Sequence, residues 1–211
     1  MEQRSREWFA ARAGKVTASR VADIVARTKS GYSSSRANYM AELLCERMSG
    51  QPAERFQSSA MIWGTDTEPL ARQAYEVMTG QIVDQIGFVL HPTIPNAGAS
   101  PDGLVGDDGL VEFKCPNSAT HLETLLSARV PERYISQIYM QMACLPDRKW
   151  CDYISYDPRF PDNMRLFCRR IVRNENAIRE LEGEIRKFLD ELELKISDLT
   201  AKYPKEDDHG V

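Results

Sequence analysis

The segment Gly106-Asp107-Asp108-Gly109 constrains this chain more than any other, because a dense glycine–aspartate cluster between two apolar, β-prone runs calls for a tight hairpin. Along the second strand side chains alternate between faces. Val111, Phe113 and Cys115 therefore point into a core, while Glu112 and Lys114 share the opposite face. Asp102 lies on the incoming strand between Pro101 and Gly103, where a bend aims its carboxylate toward Glu112. Two converging carboxylates repel unless a cation stands between them or one holds a proton. Mg²⁺ suits the first option: it takes oxygen ligands, keeps several waters and uses one or two carboxylates together with phosphate oxygens. A lysine beside the pair can orient an attacking water or lower its pKa. Such a set can cut phosphodiesters. A surface hairpin with an ordinary Glu/Lys pair has the same spacing, so the spacing leaves both readings open.

Whether a core can enclose such a hairpin depends on chain length. With 211 residues, 42% hydrophobic and 27% charged, the chain is expected to form one α/β domain over residues 1–202, followed by a polar tail at 203–211. No apolar run reaches membrane-spanning length, and the N-terminus carries charge where a signal peptide needs an apolar core, so a soluble, cytoplasmic protein is expected. Five cysteines, at 45, 115, 144, 151 and 168, show neither a Cys-x-x-Cys pair nor zinc-like spacing with the three histidines. They read as reduced, mostly buried thiols rather than cluster ligands. The net charge of −4 opposes nucleic-acid binding, but it is unevenly spread. Residues 1–60 hold ten Lys and Arg against six Asp and Glu, while residues 61–211 hold 17 against 25.

In chain order, a helix is expected over 18–27, capped by Thr17 or Ser19. Arg12 and Ser19 beside that start could hold a terminal phosphate, or could be an exposed arginine and a routine cap. The segment Lys29–Arg36 reads as a positively charged loop that touches phosphates or merely links. A helix near 36–48 ends at Gly50. Another over 58–79 is interrupted or begun near Trp63-Gly64, with Glu68 and Pro69 in its first turn and Leu70, Ala71, Ala74, Tyr75 and Met78 inward. Residues 81–90 read as a strand closed by His91-Pro92, to which no metal role is given. Residues 119–145 are helical, with Tyr134, Gln137 and Gln141 on one face and Ile138 and Met142 on the core side. Strands over 149–156 and 164–172 flank a proline-rich turn, and an amphipathic helix runs over 174–200. The expected architecture is a mixed, partly antiparallel central sheet flanked by helices, with the acidic cluster at one edge.

Four blocks carry a resemblance: Trp8-x-x-x-Arg12-x-Gly14-x-x-Thr17-Ala18-Ser19; Trp63-Gly64-x-x-x-Glu68; Ser100-Pro101-Asp102-Gly103 with Glu112-Phe113-Lys114-Cys115-Pro116; and Tyr134-x-x-Gln137. The chain resembles the PD-(D/E)XK nucleases and, within them, the phage lambda-type exonucleases, also called YqaJ-type viral recombinases. The resemblance implies a restriction-endonuclease-like fold and a Mg²⁺-dependent enzyme, with Mn²⁺ able to substitute. It would degrade one strand of duplex DNA from the 5′ end, releasing mononucleotides and leaving 3′ overhangs. Asp102 and Glu112 would hold metal, assisted by Glu68 and the Phe113 carbonyl, while Lys114 and Gln137 would serve the attacking water. Arg12, Ser19 and Ser100 would grip the 5′-phosphate, and Met61 would wedge between terminal bases. Thr120 departs from the resemblance, since a basic residue that contacts the duplex is expected there in the lambda enzyme. A ring-shaped homotrimer, a single-strand annealing recombinase partner and a phage or prophage setting are implied too. The competing readings are a restriction-like or repair endonuclease and a non-catalytic DNA-end binder.

Overall fold

The computed structural model describes residues 2–53 and 58–204. Seven helices are described: α1 (Arg6–Arg12), α2 (Val21–Val25), α3 (Ser34–Ser49), α4 (Ser59–Thr79), α5 (Ser118–Ser127), α6 (Glu132–Cys144) and α7 (Glu175–Lys202). The strands are β1 (Val16–Thr17), β2 (Arg27–Thr28), β3 (Gly31–Tyr32), β4 (Val83–Asp84), β5 (Val89–Leu90), β6 (Ala97–Ala99), β7 (Gly103–Val105), β8 (Gly109–Lys114), β9 (Trp150–Tyr156) and β10 (Leu166–Val172).

The expected hairpin is β7–β8, paired antiparallel with Gly103 opposite Val111 and with Gly106 at a φ of +54° in the turn. It lies inside a five-stranded sheet ordered β10-β9-β8-β7-β4. The acidic strand β8 is thus the middle strand, not an edge. Its other neighbour, β9, runs parallel to it with Glu112 opposite Tyr153, which makes the sheet mixed. A strand covered on both faces must be apolar throughout except where a charge has partners. Accordingly Gly109 to Phe113 are all buried. Leu110 packs into the larger cluster with α2, α3, α6 and α7. Val111 and Phe113 enter the smaller one with Ala71 and Tyr75 of α4. The alternation therefore turns Glu112 toward the α6 side.

A second, three-stranded sheet, β1-β6-β5, carries the N-terminal block, with β1 parallel to β6 and Thr17 opposite Gly98. Gly98 is required there, because a β-carbon would sit 2.3 Å from the Phe88 ring and 2.6 Å from the Val89 carbonyl oxygen. The helix α7 follows its expected periodicity, burying Ile178, Leu181, Ile185, Phe188, Leu189 and Leu192.

Several expectations are corrected. The single helix over 119–145 is two, because Pro131 disfavours helical backbone before it and Ala128 ends α5 in the left-handed region. The helix expected over 18–27 is a 3-10 turn followed by α2, and Thr17 makes no side-chain cap bond. The Lys29–Arg36 loop is the β2–β3 hairpin and the start of α3; Arg36 is buried and forks onto Glu191 at 2.6 and 3.0 Å, so it is spent on α7. Helix α4 runs unbroken through Trp63-Gly64 from its Ser58 cap, with Pro69 inside it. Glu68 is therefore a mid-helix residue, not a first-turn residue stabilised by the helix dipole. The buried stripe of α4 is Thr67, Ala71 and Tyr75, whereas Leu70 and Met78 are exposed. The strand over 81–90 divides into β4 and β5, which join different sheets. All five cysteines are free thiols, but only Cys144 and Cys151 are buried, and Cys45 is exposed. Of the expected tail, residues 205–211 lie outside the described residues.

Candidate active site

Glu112 is 1% exposed, so its carboxylate must be compensated inside the protein. Its Oε1 accepts from Gln137 Nε2 at 2.5 Å and from Lys114 Nζ; its Oε2 accepts from Gln141 Nε2. Gln137 and Gln141 are four residues apart on α6, so one helix face presents both amides to one carboxylate. Accessibility falls from Lys114, whose side chain is 24% exposed, through Gln137 to fully buried Gln141. Oε1 is therefore the oxygen on the open side, and Oε2 is anchored behind it. Gln141 is the residue that sequence reasoning left out of the site, although its spacing from Gln137 was the available signal. Its own Oε1 has no hydrogen-bond partner among the described residues.

Asp102, partly buried just before β7, accepts the Phe113 N–H at 2.7 Å through Oδ2, which ties it to β8 beside Glu112. Burial raises its carboxyl well above the ordinary value, and the charges of Glu112 and Glu68 push it further up, against Lys114 and the Phe113 N–H. Burial opposes the charge of Lys114, but Glu112 and Asp102 outweigh it and hold the ammonium above its usual value. The same negative potential reaches Cys115, pushed up to about 12 by burial, Glu68 and Asp102. Tyr134 covers Lys114, with the ammonium 5.0 Å from its ring centroid, and stacks on Tyr153.

Glu68 reaches the cluster electrostatically from α4, but its carboxylate is engaged by Arg4 at 2.7 Å and lies 3.8 Å from Arg72. Among the described residues no group of three or more His, Cys, Asp or Glu is poised around one point for a metal ion. The donors that do converge are the Asp102 and Glu112 carboxylates, with the Phe113 backbone between them. That oxygen set, its repulsion offset only in part by Lys114, fits a hard divalent cation that completes its shell with water and phosphate.

The N-terminal block meets the same end of the fold. The Arg12 guanidinium lies 4.0 Å over the Trp8 ring, and Ser100 Oγ accepts from both Arg12 Nη1, at 3.1 Å, and Trp8 Nε1, at 2.9 Å. Ser19 is exposed, and its hydroxyl hydrogen-bonds Thr17 rather than Arg12. The parallel β1–β6 register places Ser19 and Ser100 each two residues past a matched pair. A cleft of about 520 Å³ lined by Arg4, Trp8, Arg12, Met61 and Ile62 opens beside them. Met61 is 51% exposed there, and Met61, Thr65 and Glu68 share a face of α4 leading from the cleft toward the acids. Thr120 lies in α5 and lines a groove with Arg129 and Arg133.

Comparison with known proteins follows the same lines. The chain is similar to an alkaline exonuclease, LHK-Exo, from Laribacter hongkongensis, at 51% identity over 95% of this chain and 99% of that one, with a TM-score of 0.88. A structure of LHK-Exo in complex with dAMP matches at the same identity and coverage, with a TM-score of 0.89. A phage-related exonuclease from Haemophilus somnus shares the fold at 14% identity and a TM-score of 0.71, over 90% of this chain and 99% of that one. A search of the curated proteins found no match. A family model for the YqaJ-like viral recombinase domain matches residues 7–146, which takes in all four sequence blocks and both carboxylates. With two-thirds of its length under that model, including the acids, the lysine and the Arg12–Ser100 pair, the chain belongs to the YqaJ-like viral recombinase family.

Proposed function

We propose that this protein is a Mg²⁺-dependent 5′-to-3′ exonuclease of duplex DNA that releases 5′-mononucleotides and leaves 3′ single-stranded overhangs. The observation that supports this reading is that Asp102, Glu112 and Lys114 lie beside an arginine–serine pair, Ser100 standing two residues before Asp102, and that this pair borders a cleft with an exposed methionine. An endonuclease needs the acids and the lysine, but it has no use for a phosphate-gripping arginine–serine pair beside them.

Asp102 and Glu112, with the Phe113 carbonyl, would hold divalent cations, Mn²⁺ replacing Mg²⁺. Bound there, such ions supply Lewis acidity to a phosphoryl oxygen and a more acidic water. The protein's own groups do the rest. Lys114, as a cation, steadies negative charge gathering on the phosphate and directs the incoming water. Gln137 keeps Glu112 Oε1 aimed at the open side. Glu68 contributes negative potential from α4 rather than a ligand while Arg4 holds it. Arg12 and Ser100 would grip the 5′-phosphate with Ser19 nearby, and Met61 would pry apart the terminal base pair.

The test is uniformly labelled linear duplex with and without a 5′-phosphate, incubated in Mg²⁺ and then in EDTA. Mononucleotides released from the phosphorylated 5′ strand, in Mg²⁺ only, are expected. Equal cutting of a duplex whose 5′ ends are blocked would favour the endonuclease, and binding without any product would favour the non-catalytic end binder. The reading extends to a homotrimeric ring closing around DNA and handing the overhang to a single-strand annealing recombinase in a phage or prophage setting, in the cytoplasm of a bacterial host. Sedimentation is expected to return three chain masses; a mass of one chain would remove the ring. Among the described residues no helix is long and apolar enough to cross a membrane.

A further inference from the structure

Arg4 carries a backbone φ of +69°, a left-handed conformation that costs any residue with a β-carbon. Its neighbours impose it. The Gln3 side-chain amide donates to the Ile86 and Pro101 carbonyls, both at 2.8 Å, the second being the carbonyl next to Asp102. On the other side Ser5 caps α1 by accepting the Trp8 N–H at 3.2 Å. Pinned between them, Arg4 lines the cleft, with its guanidinium held at the cleft's border by Glu68 at 2.7 Å. With Arg4 48% exposed, an ion pair of that kind contributes little to stability, so the pair by itself does not account for the strained backbone. What the strain achieves is position: a second guanidinium in the cleft that Arg12 and Met61 line.

We infer that Arg4 is a specificity-determining residue, the second guanidinium for the 5′-terminal phosphate of a duplex end. The inference rests on the exonuclease reading above. A terminal phosphate monoester carries close to two negative charges at neutral pH, whereas an internal phosphodiester carries one, so two arginines in one cleft favour a terminus over an internal linkage. Glu68 keeps the Arg4 side chain oriented, and the phosphate, with its greater charge, competes for the same N–H groups. Glu46 and Asp66 also line the cleft, so the two guanidiniums act by direct hydrogen bonds to the phosphate rather than by a net positive field.

Arg4→Gly isolates the side chain, because glycine adopts a φ of +69° without strain and the fold is preserved. The readout is kcat/KM on two duplexes of one sequence, one with a 5′-phosphate and one with a 5′-hydroxyl, for wild type, Arg4→Gly and Arg4→Lys. The ratio between the two substrates should fall by about tenfold or more in Arg4→Gly, through KM, with Arg4→Lys between the two, as loss of a charged hydrogen bond predicts. A ratio in Arg4→Gly equal to that of wild type would overturn the inference. So would equal losses on both substrates, which would place the effect of Arg4 in Glu68 and the acidic cluster. A wild type without preference would sink the 5′-phosphate reading itself.

Discussion

Lys114→Ala is expected to reduce kcat for duplex digestion by about 10²–10⁴-fold while leaving binding of a duplex end intact. Lys114 bonds Glu112, and its ammonium is held charged by both acids, so its loss would remove positive charge where, on the proposed reading, the phosphate gathers negative charge. The fold should survive. Glu112 keeps amide donors on both oxygens, from Gln137 and Gln141, so no buried carboxylate is left bare. Arg12, Ser100 and the cleft are untouched, which is why anisotropy of a labelled duplex should separate binding from cutting. Digestion at the wild-type rate would remove Lys114 from the mechanism and leave the ordinary Glu/Lys pair as the better description.

Asp102→Asn should have opposite effects on stability and activity. The Asp102 carboxyl is raised above its unfolded value by burial first and by Glu112 and Glu68 after it, so the folded state holds the proton more tightly than the unfolded chain. Stability therefore falls as pH rises from the ordinary carboxylate value through the raised one, and the penalty is fully present above it. An amide can still accept the Phe113 N–H but carries no charge. The metal-free variant is thus expected to melt above the metal-free wild type at neutral pH, with the advantage vanishing below the ordinary carboxylate range. On the proposed reading Mg²⁺ would relieve the same repulsion in the wild type, adding about 2.7 kcal/mol at a hundredfold excess over Kd. Asp102→Asn should lose both that increment and nuclease activity. Thermal melts with and without Mg²⁺ at two pH values read all of this; an equal Mg²⁺ increment in both proteins would rule out Asp102 as a ligand.

The parts of the site that were legible beforehand are those written in local order. A two-residue alternation placed Glu112 and Lys114 together on β8, the Gly106–Gly109 turn brought Asp102 back beside them, and the three-to-four spacing of α7 announced its buried stripe. Where local signals competed, reading them in isolation failed. Gly64 seemed a break in α4, yet the Ser58 cap and packing against the sheet carry the helix through it, and Pro131 divided what periodicity joined.

Sequence by itself determined which chemical groups this protein has and the face on which each short segment presents them, because strand and helix periods act over a few residues. Tertiary structure alone decided how those groups are spent. Gln141 closes the second oxygen of Glu112 from 29 residues away, Arg4 holds Glu68 across 64, and Arg36 is taken up by Glu191 across 155. Contacts over such separations follow from how whole layers pack around a core, and no local pattern encodes that packing.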